Sequence, residues 1–120
     1  MSRLVSRAQR LRQITKEVDE KQDDLKVIGE QIEKAEVEIA HQEDIQSFLR
    51  DRVTEADTEQ MLQEGFVHLL DALEFQTTLK WQMKQDLLRL LVRQAKVLKA
   101  IDRLTAEGLS LCDLSEAGQE

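Results

Sequence analysis

Residues 54–60 read Thr54-Glu-Ala-Asp-Thr-Glu-Gln60, and the fold turns on them. They are the least apolar stretch between two long hydrophobic seams, and the seams are out of phase by one residue across them. Asp57 or Thr58 suits a helix N-cap, and Gln60, three residues after Asp57, completes the pattern of a capping box. A turn over about 56–59 and a new helix from about residue 60 are therefore expected. The stretch contains no glycine, so one continuous bent helix is the competing reading.

Working back from the break, apolar residues step by alternating fours and threes from Leu4 through Leu11, Ile14, Val18, Leu25, Ile28, Ile32, Ala35 and Ile39 to Leu49 and Val53. This is the seam of a coiled-coil helix spanning about 3–55, interrupted by Lys21, Gln42 and Gln46. Working forward, a second seam runs from Leu62 through Phe66, Leu69, Leu73, Met83, Leu87, Leu90, Val97 and Ile101 to Leu104, with Gln76, Lys80 and Gln94 as its polar members. Gly108 suits the left-handed position after a helix, with Leu109 touching Leu104 as in a Schellman ending, so the second helix is expected to stop near Glu107. An acidic tail over 109–120 would follow.

Composition agrees with long helices. Among 120 residues there is no Pro, no Tyr and only four Gly, which removes the turn chemistry that sandwiches, barrels and α/β folds require. The predicted fold is all-α: an antiparallel coiled-coil hairpin over 1–108 that belongs to a larger helical bundle. Folding about Asp57-Thr58 pairs positions whose numbers add to 115, setting Ile32 by Met83, Ile28 by Leu87, Val18 by Val97, Ile14 by Ile101 and Lys21 opposite Gln94. Charge supports antiparallel pairing. Residues 17–64 hold 16 acids and 5 bases, and residues 65–104 hold 4 acids and 7 bases, so the halves attract across the hairpin.

The second helix has more apolar residues than its seam uses. Leu70, Leu91 and Leu98 lie at e positions, and Val67, Trp81, Leu88 and Ala95 at b positions, which makes a stripe beside the seam. The first helix offers only Thr15, Gln22, Gly29 and Glu43 near that edge, too little to cover it. A stripe of this kind marks a protein contact, with Leu70, Trp81, Leu88, Leu91 and Leu98 as the interface and Trp81 as its anchor.

No chemistry emerges. There is no glycine-rich phosphate loop, no paired-Cys zinc spacing and no His-Glu-x-x-His, so no catalytic residue, metal or cofactor is assigned. His41 and His68 are not brought face to face, and the acid clusters at Asp19-Glu20 and Asp23-Asp24 read as a solvated helix face. The single Cys112 fits a reducing, cytoplasmic compartment. The net charge of -7 disfavours nucleic acid. The acid-free start, with Arg3, Arg7, Arg10 and Arg12, gives a minority reading as a mitochondrial presequence or a membrane-surface contact. Its default use is structural, pairing with Asp102, Glu107 and Asp113. The residues thus predict a non-catalytic coiled-coil adaptor or structural subunit that assembles with partner helices. The alternatives are a self-sufficient homo-oligomeric scaffold and a peripheral membrane role through the basic N-terminal helix.

Overall fold

The computed structural model describes the backbone of residues 3–117 and the side chains of residues 6–113. Helix α1 spans Arg3–Glu55, a single-turn helix α2 spans Thr58–Met61, and helix α3 spans Glu64–Ala117. The two long helices pack antiparallel as a helical hairpin. The contributions expected of Leu4 and of the Arg3 side chain lie outside the described side chains, as does the tail from residue 114.

The chain reverses between Glu55 and Glu64 without a single positive φ. The expected capping box is formed: the Gln60 amide donates to Asp57 Oδ1 at 2.8 Å, and the Asp57 amide donates to Gln60 Oε1 at 3.0 Å. It starts α2 rather than the second long helix. Short-range backbone bonds from Leu62 to Glu59, Gln63 to Gln60 and Phe66 to Gln63 then carry the chain into α3. The break therefore takes eight residues instead of four, and Leu62, expected to open the second seam, is 83% exposed within it.

A longer break moves the register. Backbone contacts divide the chain into two compact units, each with a stretch of α1 against a stretch of α3. In the unit Gln31–Leu90, Gln46 bonds to Thr77 and Lys80, partners whose numbers add to 123 and 126. In the unit Met1–Glu30 with Leu91–Glu120, Ile14 sits against Gly108, and those numbers add to 122. These sums exceed the expected 115 by seven to eleven, at least one heptad, so the pairings of Ile32 with Met83, Ile28 with Leu87, Val18 with Val97 and Ile14 with Ile101 are replaced. A slide of seven residues keeps every seam position on the seam. What it changes is which polar residues meet. At 115, Gln42, Gln46, Gln76 and Lys80 would come level with Leu73, Leu69, Ile39 and Ala35; one heptad on, Gln42 comes level with Lys80 and Gln46 with Gln76. Burying four polar groups against hydrocarbon is the costlier arrangement. The price is paid in the other unit, where Lys21 and Gln94, expected opposite each other, share no hydrogen bond.

Helix α3 also runs past its expected end at Glu107, as far as Ala117. Gly108 is not a left-handed terminus but an interior seam residue. A Cβ there would rest 3.7 Å from Ile14 Cγ2, and the half-buried Leu111 continues the seam one step further. With no proline beyond it and apolar residues still in phase, nothing stops the helix at the glycine.

The core is small and one-sided. Its buried hydrophobics among the described residues are Ile14, Ile28, Ile32 and Ile39, all on α1. The other expected core residues, Leu11, Val18, Leu25 and Leu49 on α1 and Phe66, Met83, Leu87, Leu90, Val97, Ile101 and Leu104 on α3, are half-buried. An α1 that is polar on either side of its seam slots isoleucines between α3 side chains but is too narrow to cover them.

The register is testable by cross-linking in a Cys112→Ser background. Met83 lines one groove with Gln42 and His41, so Gln42→Cys with Met83→Cys should be bridged by a short thiol-reactive linker, whereas Ile32→Cys with Met83→Cys should not, as read by mass spectrometry of the intact chain.

Candidate interaction surface

Within the unit Gln31–Leu90 the polar seam residues form a connected network. The Thr77 hydroxyl donates to the Leu73 carbonyl at 2.8 Å and accepts from Gln46 Nε2 at 2.8 Å. Lys80 Nζ donates to Gln46 Oε1 at 2.9 Å, and Glu43 lies 3.9 Å from Lys80 and 3.6 Å from Lys84. Gln46, only 5% exposed, thus has both ends of its amide satisfied, and the lysine stem lies along the seam while its ammonium reaches Glu43 at the edge. The network is incomplete: the buried Oε1 atoms of Gln42 and Gln76 have no hydrogen-bond partner. Each unsatisfied carbonyl costs about 1–3 kcal/mol.

Beside this network, α3 presents apolar side chains that α1 does not reach. Val67, Leu70, Trp81 and Leu88 are exposed in this unit, Trp81 at 62%. Leu91 and Leu98 are exposed in the other unit. All five side chains expected to form an interface are therefore exposed. Sequence reasoning missed Phe75 on α3 and Phe48 on α1, both exposed. Both sit at outward heptad positions where no seam or stripe drew attention to them, and the signal was simply an aromatic at a solvent position. The Arg52 guanidinium covers the Phe48 ring, 5.0 Å from its centroid, which accounts for one of the two.

In the other unit, the electrostatic anchor joins the two helices near their outer ends. Arg10 Nε and Nη2 donate to the two carboxylate oxygens of Glu107 at 2.7 and 2.8 Å, a bidentate pair, and Arg10 Nη1 lies 3.8 Å from Glu17. The hydrogen bond from Arg10 holds the Glu107 carboxyl below its ordinary pKa, and the same bond raises that of Arg10. Of the expected acidic partners of the basic N-terminal segment, Glu107 is thus engaged. Arg12 Nε instead turns back to the Ala8 carbonyl at 3.4 Å. The wider charge attraction expected across the hairpin condenses into ion pairs at Glu43 with Lys80 and Lys84, whereas Asp24 and Arg93 are both exposed and no salt bridge joins them.

His41 borders an open groove with Val37, Glu38, Gln42 and Met83, while His68 is exposed elsewhere on α3. Among the described residues no group of three or more His, Cys, Asp and Glu side chains is placed to hold a metal ion, and no helix is long and apolar enough to cross a membrane. Cys112 is free and exposed. Comparison with family models, with curated proteins and with solved structures finds no match to this chain.

Two outcomes follow from the polar groups. Gln76→Leu, which removes an unsatisfied carbonyl from a half-buried seam position, should stabilise the hairpin by about 1 kcal/mol, read as a higher urea midpoint with unchanged slope. The lowered pKa of Glu107 means that its contribution is present above the ordinary glutamate range and is lost as pH falls through the folded value. Glu107→Gln should therefore flatten the acid limb of a stability-against-pH curve measured by dichroism in urea, and leave the basic limb unchanged.

Proposed function

We propose that this chain is a non-catalytic coiled-coil adaptor or structural subunit, which uses the outward apolar face of α3 to assemble with partner helices. The observation that carries the reading is the one-sided core. Every buried hydrophobic among the described residues belongs to α1, while α3 keeps its seam half covered and Leu70, Trp81 and Leu88 exposed. Exposed apolar side chains scattered singly are ordinary, but a recurrent set on one helix face around a tryptophan is what interfaces use. The mechanism would be presentation. The Gln46–Thr77–Lys80 network fixes which α1 and α3 residues are level, and so fixes the spacing at which the outward side chains meet a partner.

Trp81→Ala and Leu88→Asp should each abolish co-purification of partner subunits from cell extract while leaving far-ultraviolet dichroism unchanged. Full recovery of partners by both variants would refute the reading. A discrete, fully helical dimer of the purified chain, reduced to monomer by Leu88→Asp, would instead favour a self-sufficient scaffold.

A further inference from the structure

The unit that joins Met1–Glu30 to Leu91–Glu120 carries an exposed strip of its own on α3. Leu91, Val92 and Leu98 are each exposed by more than two-fifths, with the exposed Ala95 between them. By heptad position these four lie together on one flank of the seam, and Lys99, then Lys96 and Arg103, run along the outer edge of the same flank. By heptad position α1 brings the uncharged Thr15, Gln22 and Gly29 to the inner edge, and a side chain added at Gly29 would meet nothing within 4 Å. The strip is thus open on one edge and positively charged on the other.

Those charges are unspent. Lys96, Lys99 and Arg103 are exposed, and none takes part in an ion pair or hydrogen bond among the described residues. The acids of α1 that were expected to neutralise them stay in solvent. We propose that this strip seats a partner helix whose apolar face is edged by glutamate or aspartate. The proposal rests on the adaptor reading and specifies the partner's chemistry.

Charge decides among the occupants. A second copy presenting the same strip would set lysine and arginine against lysine and arginine. A second copy presenting α1 would bring the right charge, but among the described residues of α1 in this unit the large exposed hydrophobic is Val27 alone, too little to fill a leucine strip. An anionic lipid surface would meet the exposed Asp19, Glu20, Asp23 and Asp24 of the neighbouring α1 segment. A single acid-edged helix satisfies the strip and its bases together without engaging those acids.

The test uses the full-length chain and two synthetic amphipathic helices with one leucine seam, the first edged by glutamate and the second by lysine. Titration at low salt, read by fluorescence anisotropy, should show the glutamate-edged peptide binding at least about tenfold more tightly, with added salt narrowing the gap. The variant K96E/K99E/R103E should invert the preference, and Leu98→Asp should abolish binding of both peptides, each with helicity retained by dichroism. Phe48→Ala, at an outward position of α1 in the other unit, should leave this binding unchanged; the peptide titration is read separately from partner co-purification, so the proposal and the adaptor reading fail separately. Equal affinity for the two peptides, or a triple variant with unaltered preference, would overturn the proposal. So would a stable dimer that Leu98→Asp converts to monomer, or tighter binding to phosphatidylserine vesicles than to the acid-edged peptide.

Discussion

Two helices can shield each other along one narrow seam only, and the two helices of this chain are unequal in what they have to hide. Helix α1 carries charge on both flanks of its seam, whereas α3 continues to be apolar well outside it. Ile14, Ile28, Ile32 and Ile39 of α1 are therefore buried, Ile28 to 1% exposure, while no described hydrophobic on α3 is. The helix content, the small core and the outward leucines are consequences of that imbalance. A hairpin of this kind is a half-finished layer in the sense that a helix stripe must be buried against something.

Within that constraint the polar seam residues do the sorting. Hydrophobic periodicity fixes which side of each helix turns inward but is indifferent to sliding by seven residues. The amide of Gln46, bonded at one end to Thr77 and at the other to Lys80, is not indifferent, because a slide would leave it without partners in an apolar setting. The network weakens the hairpin through the unsatisfied carbonyls of Gln42 and Gln76, yet it makes one alignment preferable to its neighbours. This is the same exchange of stability for register that a buried asparagine performs in a coiled coil.

The fold class was legible because four-three spacing over fifty residues has one helical interpretation, and the capping box was legible because Asp57 and Gln60 carry it locally. The register was not read from the repeat, because the repeat maps onto itself at every heptad. A usable signal was nevertheless there: the polar seam residues Gln42 and Gln46 of α1 come near Gln76 and Lys80 of α3 once the register is moved from 115, Gln46 bonding to Lys80, and matching polar positions before apolar ones would have pointed to it. The length of the break was missed because the capping box was assigned to the long helix rather than to a single turn before it. Gly108 was misread as a terminus because glycine is a common stop; the clue to the contrary was Leu111, one seam step beyond. The exposed face of α3 was visible as surplus apolar residues, but the isolated Phe48 and Phe75 were not, since an outward aromatic belongs to no repeat.

The position of the polar network along the chain bears on how the molecule closes. Gln46 and Thr77 are separated by 31 residues and Arg10 and Glu107 by 97, so closing the loop to the former costs less chain entropy. Zippering is thus favoured from the reversal outward, with the polar network engaged early and the arginine clamp late. A chain that begins to close one heptad out of step would present Lys80 to Ala35 while most of the hairpin is still open, when retreat is cheap. On loop entropy alone, the network is placed where misalignment is met before most of the hairpin has closed.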